Sequence, residues 1–184
     1  KEQDRDIVAT TQEALSKIGK AAWARYGAVI ALGNIGDKRA VNAVIRALGD
    51  EREVVRAEAA QALAKLHDDR AIAPLITAIE RDEVMTVRRE AVAALRVFYD
   101  GTRGLTSAFR AALDDASWEV RSEAARALGR VDDEASVAPL LELLEDPSYT
   151  VRTSTEHALA NLGGLALPHI LIEAGGPEGP RVEP

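Results

Sequence analysis

The 184-residue sequence contains no cysteine, which excludes disulfides and thiolate-bound zinc. Aromatic residues make up only 4% of the chain, and there is a single methionine. Alanine and leucine supply much of the 47% apolar fraction, a composition that favours close helix–helix packing over a sheet rich in Val, Ile and aromatics. No apolar run approaches the length of a membrane span and no signal peptide is visible, so no membrane partner is expected and a reducing cytoplasm is the expected location. Positive charge is also in deficit. The net charge of −7 argues against a protein built to neutralise phosphate backbones, and nucleic acid is not an expected partner. The first residue is Lys1 rather than Met, as in a piece of a longer protein.

What the chain does contain is a repeat. "ARYGAVIALGNIGD" from Ala24, "VRAEAAQALAKLHDD" from Val55, "VRREAVAALRVFYD" from Val87, "VRSEAARALGRVDD" from Val120 and "VRTSTEHALANLGG" from Val151 are versions of one segment. Their anchoring arginines, Arg25, Arg56, Arg88, Arg121 and Arg152, are 31, 32, 33 and 31 residues apart. Within a copy the apolar residues fall at i, i+4, i+7, i+8 and i+11, for example Val55, Ala59, Ala62, Leu63 and Leu66, which is one face of an amphipathic helix. This is helix B of each repeat. The shorter segments between copies, from Arg39, Arg70, Arg103 and Ala135, predict a helix A, with Asp37, Asp69 and Asp133 as N-caps and Pro74 and Pro139 near helix starts. Gly33 and Gly36 are read as helix-end residues.

A helix pair of this length cannot bury both faces alone, so neighbours must stack. The expected fold is all-α, a right-handed α-solenoid (superhelix) of about five helix pairs over residues 1–174. A capping helix is expected at about 165–174, where Pro168 matches Pro139, and a disordered Gly/Pro tail at 175–184. In the last copy Thr155 and Glu156 replace the paired alanines, as suits a terminal unit.

The signatures of tetratricopeptide and ankyrin repeats are missing. "DEREVVRAEAAQALAKLHDDRAIAPLI" and "DDASWEVRSEAARALGRVDDEASVAPLL" instead resemble HEAT repeats, specifically the short HEAT-like subclass found in phycobilisome lyases and many bacterial and archaeal proteins. The resemblance covers about residues 20–174. It implies an armadillo-like solenoid and leaves the function open, because such repeats serve in scaffolds, chaperones, lyases and a few enzymes.

Asp50, Asp82, Asp115 and Asp146 each lie six residues before Arg56, Arg88, Arg121 and Arg152, where helix B is expected to begin, with Pro147 as an N1 proline and Glu53 completing a capping box. Six helical residues turn about 600°, leaving Asp and Arg of one copy roughly 120° apart, so each arginine more easily reaches the aspartate of an adjacent repeat. The resemblance implies such an Asp–Arg ladder, and bidentate guanidinium–carboxylate pairing suits it. The rival reading, a phosphate-binding arginine stripe, is opposed by the regular acidic neighbours. The first copy has Gly19 at the aspartate position, which marks either an end unit or a free Arg25.

No catalytic constellation and no metal site is apparent, and no cofactor is expected. His67, His157 and His169 lack metal-ligand spacing. Deoxyhypusine hydroxylases are HEAT-like enzymes that bind iron through His-Glu pairs, and this chain has no His-Glu dipeptide. The pairs Asp68-Asp69, Asp114-Asp115 and Asp132-Asp133 fall at repeat turns, where capping explains them. HEAT-like DNA glycosylases would need a basic, aromatic-lined groove, whereas acids and bases are interleaved here.

The residues expected to line the open face of the B helices are the irregular ones: Trp23, Tyr26, Glu58, Arg89, Trp118, Glu119, Ser122, Arg126, Arg130, Tyr149 and His157. Their aromatics are either anchors for a protein partner or packing residues at inter-helix turns. The leading expectation is a non-enzymatic protein–protein interaction scaffold with an unidentified protein partner. Its alternatives are a bilin lyase or chaperone-like subunit of the phycobilisome lyase type, and a regulatory HEAT segment of a larger enzyme.

Overall fold

The computed structural model describes residues 22–99 and 105–173, and among these there are helices and turns but no strand. The chain divides into two compact units, Lys1–Ala108 and Phe109–Pro184.

In the first unit α1 (Ala22–Ile35) is followed by a 3-10 turn (Lys38–Ala40) leading into α2 (Val41–Ala47), and then by α3 (Glu53–Leu66). A second 3-10 turn (Asp69–Ala71) opens α4 (Ile72–Arg81), and α5 (Met85–Arg96) completes the described B helices of this unit. Helices α1, α3 and α5 pack side by side, while α2 lies against α3 and α4 against α5. The unit boundary falls within α6 (Thr106–Ala111), whose tight continuation (Ala112–Asp114) packs on α7 (Trp118–Leu128) in the second unit. There α8 (Val137–Glu142) and α9 (Tyr149–Leu162) form the next pair, α9 packs along α7, and α10 (Leu167–Glu173) lies on α8. Residues 1–21 and the Gly/Pro tail at 175–184 lie outside the described residues.

The periodic apolar face is the buried face in α3, α5, α7 and α9, whereas in α1 only Leu32 of that stripe is buried and Ala24 is exposed. Val55, Ala59, Ala62, Leu63 and Leu66 are buried in α3, and Val120, Ala124, Ala127 and Leu128 in α7, with Val131 just beyond it. Each buried leucine contributes about 1.5–3 kcal/mol, and the alanines let neighbouring helices approach closely. Pro74 and Pro139 are the third residues of α4 and α8, and Pro168 the second of α10, so each falls in the first turn, where a missing N–H has no cost.

Four local expectations change. Asp37 accepts the Arg39 backbone N–H at 2.8 Å as an N-cap, but at the next repeat Asp68, not Asp69, holds the equivalent place and accepts from Arg70 N. Asp133 turns its carboxylate to the Ser136 hydroxyl and to Arg110 instead of a backbone N–H. The ladder aspartates sit upstream of helix B. Asp50, Asp82, Asp115 and Asp146 each accept the backbone N–H two residues on (Arg52, Val84, Ser117 and Ser148), and the helix starts only after that residue. Pro147 is therefore not an N1 residue, and Glu53 is the first residue of α3, not the third. Thr155 is fully buried with a hydroxyl that has no partner, whereas Glu156 is exposed, so only the latter suits a terminal surface.

Two kinds of glycine constrain the backbone among the described residues. Gly36 ends α1 with φ +71°, donating its N–H to Leu32 O at 3.3 Å. Gly33 lies within α1 and serves close packing instead: a Cβ there would stand 2.8 Å from Ala62 Cβ. Gly129, after α7, repeats this register, with a Cβ falling 2.5 Å from Ala158 Cα on α9. Each is eight residues beyond its anchoring arginine and faces the alanine six beyond the next one, which makes this a second repeat-to-repeat contact. Gly129→Ala is expected to destabilise the protein by roughly 1–3 kcal/mol through overpacking, because its φ of −66° would otherwise accept alanine. An unchanged denaturation midpoint for that variant would show that α7 and α9 have room to separate.

Candidate functional site

Arg56 and Arg121 share one geometry, and Arg25, Arg88 and Arg152 each show part of it. Arg56 Nε donates to Asp82 Oδ2 at 2.7 Å and Nη2 to Asp82 Oδ1 at 3.0 Å, while Nη1 donates back to the carbonyl of Asp50 at 2.9 Å in its own repeat. Arg121 grips Asp146 in the same way, at 2.7 and 3.0 Å, with Nη1 on Asp115 O at 2.7 Å. Arg25 Nε and Nη2 bind Asp50 at 2.6 and 3.1 Å, and Nη2 also reaches Glu51 at 2.9 Å. Arg25 is thus a full rung and not a free cation. What the first copy lacks is an aspartate of its own, because the acid for each rung comes from the following repeat. Arg88 makes the local half of the contact through the carbonyls of Asp82 and Glu83.

Asp50, Asp82 and Asp146 each perform two tasks at once. Oδ1 holds the turn into helix B through the backbone N–H two residues on, and both oxygens receive the guanidinium of the preceding repeat. Burial pushes the carboxyls of Asp50, Asp82 and Asp146 up, but the arginine hydrogen bond and the turn N–H outweigh it, so all three stay below the ordinary aspartate range. On the surface Asp68, held mainly by the Arg70 side chain, is lowered to about 2.

The residues expected on the open B face separate into two groups. Glu58 and Ser122 are buried, at 9% and 0% exposure, so they do not line an open face. Ser122 Oγ meets Ser154 Oγ at 2.9 Å in the seam between α7 and α9, since a B helix buries both the side facing helix A and the flanks facing adjacent B helices. Arg89 pairs with Glu90, Tyr26 sits edge-on to Trp23 with ring centres 6.0 Å apart, and Glu119 accepts from the Ser117 hydroxyl. The positions that do remain open in the second unit are Trp118, Arg126 and Arg130 on and after α7, and Tyr149 and His157 on α9. Trp118 (44% exposed) and Tyr149 (74%) are the first residues of their helices, and Arg126 is tied to Glu123 at 2.9 Å.

In the first unit Trp23, also 74% exposed, overhangs a hollow of about 360 Å3 lined with Glu51, Arg52, Glu53 and Val54. Val54 breaks no rule of the repeat, and no sequence signal marked it. His67 adopts φ +45° at the end of α3 and stacks on Phe98. Among the described residues no group of three His, Cys, Asp or Glu side chains could hold a metal, and no helix is long and apolar enough to cross a membrane.

Stacked helix pairs with a register-locking Arg–Asp rung define a helical-repeat protein with an armadillo-like solenoid fold. The HEAT repeat family model matches residues 9–96 and 99–174, and the chain belongs to that family. It is 29% identical over 161 residues to deoxyhypusine hydroxylase-B of Oryza sativa subsp. japonica, covering 88% of this chain and 40% of that protein. A 49-residue stretch, 27% of this chain, is 45% identical to the phycocyanobilin lyase subunit alpha of Picosynechococcus sp., of which it covers 18%. The chain therefore spans less than half the length of either relative. Among solved structures, the complex of CpcE and CpcF of phycocyanin lyase from Nostoc sp. PCC7120 matches with a TM-score of 0.68 and 24% identity, over 90% of this chain and 69% of that one. A designed armadillo repeat protein in complex with the peptide (KR)4 matches with a TM-score of 0.62 and 22% identity, over 88% and 86%. Both share the fold.

Replacing Arg121 with Ala leaves a largely buried carboxylate without its cation and is expected to cost roughly 3 kcal/mol at neutral pH. Because the folded-state value of Asp146 lies below its unfolded value, its contribution is complete above the unfolded value near 3.9 and is lost as pH falls through the folded one. Chemical denaturation of wild type and Asp146→Asn should therefore differ at pH 7 and converge under acid conditions. A difference independent of pH would place the effect outside the ionised rung.

Proposed function

We propose that this chain is a non-enzymatic scaffold that captures a protein partner on the open face of its B helices, in the second unit chiefly through Trp118, Arg126, Arg130, Tyr149 and His157. The observation that carries this reading is the exposure of two large aromatics, Trp118 and Tyr149, at the same register of successive B helices. In a chain with 4% aromatic residues, two exposed at equivalent positions of successive B helices favour a contact surface there. Interface anchors are drawn preferentially from Trp, Tyr and Arg, and Arg126 and Arg130 are exposed further along and just after α7. Structures of similar fold include a complex of two lyase subunits and a designed protein holding a peptide, so a helical-repeat surface suits the task. Membership in a partnered complex in the cytoplasm is the setting this proposal assumes.

The test is partner capture with the full chain. Trp118→Ala and Tyr149→Ala should each lower affinity by roughly tenfold or more, the range of an anchor residue worth above 1 kcal/mol, with no change in denaturation midpoint. Capture that survives both substitutions would move the partner to another surface.

A second reading, a bilin lyase or chaperone-like subunit, is favoured by the 49-residue match to a phycocyanobilin lyase subunit. Mixing the chain with a bilin, alone and with its partner present, separates the two: a shift in the bilin absorbance band supports the lyase reading, and an unchanged spectrum in both mixtures counts against it.

A further inference from the structure

Among the described residues the rung arginine of α9 holds no carboxylate. Arg152 occupies the ladder position of α9 and is anchored like its predecessors: Nη1 donates to Asp146 O at 2.7 Å and to Pro147 O at 3.1 Å. The Tyr149 ring lies against its guanidinium, 5.8 Å from centre to Cζ. In Arg25, Arg56 and Arg121 the remaining Nε and Nη2 hold a carboxylate of the next repeat. In Arg152 those two nitrogens have no hydrogen-bond partner among the described residues. The fork is oriented by contacts on its other edge, so little rotamer entropy is lost when an acid docks.

We propose that the Nε/Nη2 fork of Arg152 is a binding site for a carboxylate, supplied by an aspartate at the turn into a helix of a partner protein chain. The ligand class follows from the three filled rungs, each of which takes one carboxylate bidentately in the same orientation. Among the described residues a second copy of this chain offers no unoccupied rung aspartate. Asp50, Asp82, Asp115 and Asp146 are all engaged, and the first repeat carries Gly19 where the aspartate would stand.

The chain's own Glu178 is the rival source, since it follows Arg152 by 26 residues, the separation of Arg56 and Asp82. It lacks half of the rung chemistry. Every internal rung aspartate also accepts the backbone N–H two residues on, and two residues after Glu178 stands Pro180, which has no N–H. The inference rests on the partner-binding reading only for where the acid comes from. It uses a different side chain from the Trp118 test, so either can fail alone, whereas Tyr149→Ala removes the ring beside Arg152 and does not separate the two.

The experiment follows the arginine Nε–H signals of the 15N-labelled full chain by NMR at constant ionic strength. The probes are sodium acetate and the peptide acetyl-Asp-Pro-Ser-Tyr-amide, which copies the rung turn at residues 146–149, with its Asn counterpart as control. The expected result is a saturable downfield shift of the Arg152 signal with acetate and with the Asp peptide, none with the Asn peptide, and no response from Arg121, whose fork is filled. Exposed Arg130 serves as the reference for non-specific ion pairing. An Arg152 shift no larger than that of Arg130 overturns the site. An Arg152 signal that responds only after Glu178→Gln assigns the fork to the chain's own tail and overturns the partner.

Discussion

One guanidinium, shared between two repeats, sets the geometry on which the rest of this structure depends. Nη1 is fixed to the carbonyl that precedes its own helix B, and Nε and Nη2 are fixed to a carboxylate one repeat further on. The aspartate in turn fixes the entry to the next helix B. The rung therefore links a turn, a helix and the following turn in one hydrogen-bonded unit, and within each unit of the fold it sets the register in which Gly33 meets Ala62 and Gly129 meets Ala158. Its low exposure, with the Arg121 and Asp146 side chains at 15% and 7%, removes much of the solvent screening that makes surface pairs weak.

This arrangement separates residues that maintain the stack from residues free to do something else. The periodic leucines, valines and alanines face inward, and the rung residues face each other. Trp118, Arg126, Arg130, Tyr149 and His157 lie off the apolar stripe and outside the rung pairs, and the packing leaves them open. A solenoid can change such positions without disturbing its neighbours, because each repeat is held by contacts that do not involve them.

Much of this was legible in the sequence, for physical reasons that also mark where legibility ends. A period of 31 to 33 residues with apolar positions at helical spacing can be satisfied by few folds, and the inward face read from Val55 to Leu66 is the buried one. The pattern does not report what lies at the flanks of a helix. Glu58 and Ser122 read as outward positions because they fall off the apolar stripe, yet both are buried, and Ser122 meets Ser154 on the adjacent B helix. Gly33 read as a cap because glycine commonly ends helices, and only the inter-helix distance shows that it makes room for Ala62. Arg25 looked exceptional because the aspartate was sought upstream of it, whereas the rung runs downstream to Asp50. Three-dimensional proximity between repeats is the quantity that one-dimensional spacing lacks.

The most direct measurement of the rung is a double-mutant cycle between Arg121 and Asp146, using Arg121→Gln, Asp146→Asn and the pair together, with stability from chemical denaturation at neutral pH. If the guanidinium–carboxylate contact locks successive repeats, the two substitutions should be strongly non-additive, with a coupling of about 1.5–3 kcal/mol. Additivity to within about 0.5 kcal/mol would contradict it, and would mean that the helices stack by apolar packing alone with the rung as a passenger.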